Sequence, residues 1–97
     1  MRFEIILAPE AIEDFRRLKA TVRSTLRDAL ETHLRHEPMK TSRSRIKRLR
    51  GLKRPQYRLR VGDVRVFYDV TAESVEVLAI VPKVEAAIWL EQFGKRG

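Results

Sequence analysis

The chain has 97 residues, and its 21 Lys or Arg against 13 Asp or Glu give a formal net charge of +8. A chain of this length forms one small domain, which we expect to span residues 1–97. No cysteine and only two histidines are present, which argues against a disulfide framework, a thiol nucleophile and the usual zinc ligand sets, so we expect no metal and no cofactor. Neither a signal peptide nor a membrane-spanning run is apparent, which predicts a cytoplasmic protein without membrane contact.

The first half of the chain predicts one strand and two helices. A strand is expected over residues 2–8, before Pro9, which suits the first position of a helix because proline lacks the N–H that would be unpaired there. Apolar residues then recur at helical spacing until Pro38 ends the pattern. One long helix is possible, but Ala20 and Thr21 favour a break, with Thr21 capping a second helix.

The second half of the chain predicts an antiparallel sheet. Runs rich in β-branched and aromatic residues predict a short edge element at 46–52 and strands at 57–61, 64–70 and 75–81. A short last helix is expected over residues 84–93. The fold class is therefore α+β, with an N-terminal strand, a two-helix hairpin, an antiparallel C-terminal sheet and a short last helix.

A hairpin with the loop at residues 62–63 separates an apolar face from a charged face. Its register places Arg60 opposite Arg65 and Arg58 opposite Phe67. The other face, expected under the two helices, holds Tyr57, Leu59, Val61, Val64, Val66, Tyr68 and Val70. Like charges in direct opposition cost a few tenths to about 1 kcal/mol. The register therefore predicts an external anion such as phosphate, with Phe67 as a stacking surface for a base.

The positive charge is concentrated in one segment. Residues 38–62 hold ten Lys or Arg and no acid, whereas the rest of the chain holds eleven basic and thirteen acidic residues. This segregation predicts a polyanionic partner. The alternative is a solvated arginine face neutralised by acids such as Asp69 or Glu76, but those acids are too few to neutralise the whole segment.

The order of elements and several segments together resemble the RelE/ParE superfamily of bacterial type II toxins, with RelE-like mRNA interferases as the nearest group. The resemblance covers almost the whole chain and rests on Lys47-Arg48-Leu49-Arg50-Gly51, Tyr57-Arg58-Leu59-Arg60, Val64-Arg65-Val66-Phe67-Tyr68-Asp69-Val70 and Val75-Glu76-Val77-Leu78-Ala79-Ile80-Val81. It implies a toxin that cuts mRNA on the ribosome without a metal, the ribose 2′-OH attacking the adjacent phosphate, and so inhibits translation. It also implies an antitoxin partner, which we expect to be acidic or amphipathic.

The resemblance also implies roles for single residues. Arg65 matches the arginine that braces the scissile phosphate, while Arg58 and Arg60 stand where RelE has two lysines. Arginine stabilises an anion but does not readily accept a proton at neutral pH, so electrostatic stabilisation is expected rather than base catalysis. Near the C-terminus, Lys83 and Trp89 are the nearest replacements for a family arginine and a stacking tyrosine or histidine. The mRNA and ribosomal RNA contacts would come from Arg43, Arg45, Lys47, Arg48, Arg50, Lys53, Arg54, Phe67 and Trp89.

Two other functions remain open from the sequence. A ParE-like protein that poisons DNA gyrase through protein contacts is favoured by the missing C-terminal arginine and tyrosine. The Arg58, Arg60 and Arg65 cluster, which a gyrase poison would not need, argues against it. A non-catalytic module that docks on nucleic acid through its basic segment is the second alternative, and it would bind RNA or DNA without cleaving it.

Overall fold

The computed structural model describes residues 1–96, which form a five-stranded sheet with helices on both faces. The elements are β1 (Glu4–Leu7), α1 (Pro9–Arg17), α2 (Ala20–Leu34), β2 (Ile46–Arg48), β3 (Tyr57–Val61), β4 (Val64–Val70), β5 (Ser74–Pro82), a 3-10 turn (Lys83–Glu85) and α3 (Ala86–Phe93). The predicted α+β class and element order are confirmed. Within residues 1–96, no helix has the length and apolar character needed to cross a membrane.

The sheet has the order β1-β5-β4-β3-β2. Strands β2 to β5 pair antiparallel, as predicted, whereas β1 pairs parallel with β5. Every predicted hairpin pair is found, including Arg60 opposite Arg65 and Arg58 opposite Phe67. The edge element predicted over residues 46–52 is shorter, because strand pairing ends at Arg48.

The helical break lies slightly earlier than predicted. Helix α1 begins at Pro9, as expected. Leu18 and Lys19 both have extended backbone conformations, so α2 begins at Ala20 with Lys19 as its N-cap. Thr21 therefore lies inside the first turn of α2, and its predicted capping role is wrong.

Helices α1 and α2 cover one face of the sheet and enclose the main core. Ala11 contributes from α1 and Leu26, Leu30 and Leu34 from α2, packing against the hairpin face predicted to be apolar. The buried hydroxyl of Tyr68 donates to the carbonyl oxygen of Pro38 at 2.6 Å. This bond ties the segment that follows α2 to the middle of the sheet.

A β-bulge changes the register between β4 and β5. Phe67 is opposite Ala79, but Tyr68 is opposite Val77, which leaves Leu78 as the extra residue. The backbone N–H of Ile80 donates to Oδ2 of Asp14 at 2.9 Å, so α1 supplies an acceptor beside the bulge. A second, smaller core forms on the other face, where α3 covers Phe67, Ala79 and Val81.

Candidate nucleic-acid interface

The face of the sheet opposite α1 and α2 carries a group of cations, here called the arginine face: Arg45, Lys47, Arg58, Arg60 and Arg65. They form two rows across the strands. In one row Arg60 is opposite Arg65, and the N–H of Arg60 donates to the carbonyl oxygen of Arg45 at 2.8 Å. In the other row Lys47 is opposite Arg58. Because neighbouring strands lie about 4.8 Å apart, these charges are close neighbours.

Arg65 is held by backbone carbonyls rather than by an acid. Its side chain is buried, with 6% of the residue exposed, and Nη1 donates to the carbonyl oxygens of Gly62 at 2.8 Å and Val64 at 3.1 Å. Gly62 has a φ of 56°, a conformation that glycine adopts without the steric cost of a Cβ. The hairpin turn therefore fixes the guanidinium, which forms no ion pair within residues 1–96.

Arg58 is half-buried, and part of its guanidinium lacks a hydrogen-bond partner among residues 1–96. Its Nε is buried without a partner among residues 1–96. Burial, together with the charges of Arg65 and then Arg60, lowers the pKa of Arg58 from its ordinary value. The five ion pairs found within residues 1–96 involve none of these three arginines. An anion bound at this face would relieve both the unpaired donor and the charge repulsion.

The acids that could have neutralised the arginine face do not do so. Asp69 pairs instead with Arg54, whose Nε lies 3.1 Å from Oδ2, and Oδ1 of Asp69 accepts the N–H of Gln56 at 2.8 Å. Burial raises the pKa of Asp69, an effect that the Gln56 and Arg54 contacts partly offset. Within the described residues Glu76 makes no ion pair. Arg54, predicted to bind RNA, is therefore already paired within the fold.

The predicted stacking role of Phe67 is wrong. Phe67 lies on the second face as the register required, but it is completely buried. The ring of Trp89 from α3 stacks on it, with centroids 4.9 Å apart and planes 5° apart. One face of the Trp89 ring therefore packs on Phe67, and α3 prevents a base from reaching Phe67.

The remaining predicted residues surround this face in different ways. Arg43, Arg50 and Lys53 are exposed. Arg48 donates to the carbonyl of Gln56 at 2.8 Å and lies over the Tyr57 ring, so it also stabilises the edge of the sheet. Lys83 is exposed just after β5.

Lys83 begins the 3-10 turn next to the hairpin loop. Its backbone N–H donates to the carbonyl oxygen of Asp63 at 2.7 Å. The structure thus brings Lys83 close to the turn that holds Arg65. Within residues 1–96, no group of three or more His, Cys, Asp or Glu side chains is arranged to hold a metal ion.

Sequence reasoning missed one part of this face. Ser44, Arg45, Arg60 and Gly62 line a pocket of about 330 Å³. From the sequence, Arg45 is placed only within the general basic segment. Extending the pairing of the edge element backwards from Ile46 would have placed Arg45 opposite Arg60.

The comparisons with known proteins identify the family. The model of one family, described as the ParE toxin of the type II toxin-antitoxin system parDE, matches residues 5–86. The chain belongs to this family. A search of the curated proteins finds no match. The fold of this ParE-family toxin is also found in solved structures whose sequences are less than 25% identical to it.

Three of these structures show the extent of the likeness. A mutant of the E. coli toxin RelE in the free state is 24% identical, with a TM-score of 0.72, over 94% of this chain and 93% of that chain. RelBE2, a toxin-antitoxin complex from Mycobacterium tuberculosis, is 18% identical, with a TM-score of 0.65, over 84% of this chain and 99% of that chain. The E. coli DinJ-YafQ toxin-antitoxin complex is 14% identical, with a TM-score of 0.62, over 92% of this chain and 99% of that chain. At these identities the likeness concerns the fold.

Proposed function

We propose that this ParE-family toxin is a ribosome-dependent, metal-independent endoribonuclease that cleaves mRNA and thereby inhibits translation. The observation that carries the proposal is the cluster of Arg58, Arg60 and Arg65 on one face, which within residues 1–96 has a buried donor without a partner and forms no ion pair. Folding like charges together without compensation is unfavourable. Sites of this kind are built for an anionic ligand or transition state.

The chemistry follows from what guanidinium groups can do. The ribose 2′-oxygen attacks the adjacent phosphorus and the bond to the 5′-oxygen breaks, which leaves a 2′,3′-cyclic phosphate and a 5′-hydroxyl. Arg65, fixed by the hairpin turn, would contact the phosphate oxygens, with Arg58 and Arg60 stabilising the added negative charge. Because arginine does not accept a proton at neutral pH, the 2′ proton passes to solvent and the 5′-oxygen takes one from solvent. Lys83 adds a positive charge beside the turn.

The basic segment around the site would hold the RNA in place. The exposed Arg43, Arg50 and Lys53 lie outside the arginine face, and we assign them to mRNA and ribosomal RNA phosphates. Arg48 and Arg54 would contribute less, because each already has a partner within the fold. Trp89 is half-buried against Phe67, which leaves part of its side chain exposed for contact with a base.

An antitoxin is the proposed protein partner. Several solved structures with this fold are toxin-antitoxin complexes. On this chain the 3-10 turn and α3 expose Val84, Ile88 and Phe93 next to a groove lined by Lys95, Glu10 and the Asp69-paired Arg54, and the arginine face supplies the basic surface. An acidic, amphipathic segment would complement this combination of apolar and basic surface.

The family match supports a second candidate, inhibition of DNA gyrase, because the matching family is described as the ParE toxin. In that case the arginine face would serve protein recognition, and RNA would not be the target. The two candidates differ in a direct observable: one leaves breaks in translated messages, whereas the other arrests growth without them.

The test is induced expression in bacteria, with growth followed and primer extension used to map breaks on a translated message. We expect arrest and breaks with the wild type, and neither with Arg65→Ala. Since Arg65 is buried, Arg60→Gln serves as an exposed second variant and should strongly reduce the breaks without affecting the fold. Arg2→Gln, at the opposite edge of the sheet, is the matched control and should behave as the wild type.

Other outcomes have defined meanings. Arrest without breaks would replace this proposal with gyrase inhibition. No arrest by a folded wild-type protein would favour a non-catalytic nucleic-acid-binding module. If a small protein is encoded next to this chain and is its antitoxin, its co-expression should restore growth.

A further inference from the structure

Of the residues lining the pocket of Ser44, Arg45, Arg60 and Gly62, only Arg60 takes part in the chemistry proposed above. It is open to solvent, and both of its arginines are exposed and form no ion pair within residues 1–96. Two guanidinium groups without an ion pair and a hydroxyl provide several hydrogen-bond donors for one anionic group such as phosphate.

The position of this pocket relative to Arg65 follows from the sheet. Arg45, Arg60 and Arg65 occupy one row that crosses two strand spacings, about 10 Å in total. Arg60 therefore lies between the buried guanidinium of Arg65 and the exposed one of Arg45. Because this row of cations runs perpendicular to the strands, the phosphates of a single-stranded nucleic acid can contact it in succession from β4 to β2.

The loop that carries Ser44 and Arg45 is fixed at several points. The hydroxyl of Ser42 accepts the N–H groups of Arg45 at 3.0 Å and Ile46 at 3.2 Å, and the N–H of Ser42 donates to the carbonyl of Ile46 at 2.9 Å. Upstream, the Tyr68 hydroxyl holds Pro38. Arg45 is thus presented by an ordered loop, which reduces the entropy cost of binding.

We infer that the pocket of Ser44, Arg45, Arg60 and Gly62 is a second phosphate subsite, which binds the backbone phosphate next to the one held at Arg65. The single strand then crosses the arginine face from β4 to β2. This inference rests on the proposed function for the identity of the ligand as RNA. The subsite itself requires only a single-stranded phosphate backbone.

The experiment measures binding of trinucleotides that cannot be cleaved. The probe is 2′-O-methyl UpUpU, which lacks the 2′-hydroxyl nucleophile, compared with the same trinucleotide carrying a neutral methylphosphonate at one or the other linkage. At low salt the wild type should bind the fully charged probe about tenfold more tightly than the better of the two neutral-linkage probes, the effect of one charge-assisted contact. Arg45→Gln should abolish this preference, whereas Arg2→Gln should retain it.

A second readout uses His33, which lies with Arg45 among the residues lining a neighbouring pocket. Burial and then the charge of Arg45 lower the pKa of His33. A phosphate bound at Arg45 should raise the pKa of His33, measured by NMR titration of its ring protons, and a probe with the neutral linkage at that position should not.

The outcomes separate this inference from the proposed function. If Arg45→Gln keeps the full preference for the charged probe, or if the wild type has no preference, the second subsite is overturned. If the wild type shows the preference but produces no breaks in cells, the subsite stands and the endoribonuclease proposal fails.

Discussion

Arg58 shows at the level of one residue how this fold favours binding over stability. Its buried Nε has no partner among residues 1–96, and two further arginines lie beside it. A buried donor without a partner costs about 1–3 kcal/mol of stability. Such a cost persists where the group has a function, because functional sites are often less stable than an apolar replacement would be.

We therefore expect Arg58→Met to stabilise the protein. The substitution keeps an unbranched side chain but removes the unpaired donor and the repulsion, so the free energy of unfolding should rise by about 1 kcal/mol or more. Urea denaturation measures the change. Lys47→Met is the matched control, because Lys47 is opposite Arg58 but exposed, and it should change stability by less than about 0.5 kcal/mol. A less stable Arg58→Met variant would mean that Arg58 is held by interactions other than those described.

The residues of the site were predictable where local geometry determines them. The loop at residues 62–63 and the alternation of side chains were sufficient to place Arg60 opposite Arg65 and Phe67 on the same side. The burial of Phe67 was not predictable in this way. It depends on α3, which lies distant in sequence and packs Trp89 onto that ring.

At the level of elements, the segment between α2 and β2 is fixed from the core. Tyr68 and Tyr57 stack with centroids 5.5 Å apart, but within residues 1–96 only Tyr68 uses its hydroxyl, to hold the carbonyl of Pro38. Burial raises the pKa of Tyr68, so its hydroxyl stays protonated and continues to donate. The loop that presents Arg45 begins just beyond this bond.

Tyr68→Phe should therefore destabilise the protein and loosen that loop. The substitution leaves the Pro38 carbonyl without its partner, at a cost of about 1–3 kcal/mol. Hydrogen exchange of the Arg45 and Ile46 amides should speed up more than exchange in α1. Tyr57→Phe removes a hydroxyl from the other ring of the same stack and should leave both stability and exchange nearly unchanged. Equal effects of the two variants would show that the Pro38 bond does not hold the loop.

The elements were predicted better than their arrangement. Periodicity and Pro9 were sufficient for the helices, and β-branched runs for the strands, because both signals are local. Parallel pairing of β1 with β5 joins the two ends of the chain, and no local pattern encodes it. Strand β2 ends at Arg48, shortly before the chain turns at Gly51, which has a φ of 77°.

At the level of the whole molecule, basic side chains that are unpaired within residues 1–96 are concentrated on one side of the sheet, whereas most paired acids lie on the helices. The segment from residue 38 to 62 carries ten basic residues and no acid, and the structure directs Arg45, Lys47, Arg58 and Arg60 from that segment to the same side of the sheet. The acids that form ion pairs lie mainly on the helices, where they pair with neighbouring basic residues. An attractive field for a polyanion therefore extends over one side of the molecule.

This separation predicts a strong dependence of RNA affinity on salt. Each phosphate neutralised on a single strand contributes about −0.7 to the slope of log affinity against log salt concentration. Arg60→Gln should reduce the size of that slope by about 0.7 to 1 and weaken binding at every salt concentration, because one counterion fewer is released. Arg2→Gln removes the same charge from the far edge of the sheet and should leave the slope unchanged. Fluorescence anisotropy with a labelled 2′-O-methyl oligonucleotide between about 50 and 200 mM salt measures both. A wild-type affinity that does not change with salt, or an equal loss of slope in the two variants, would contradict binding through the arginine face, because only localised contacts distinguish two charges that count equally in the net charge.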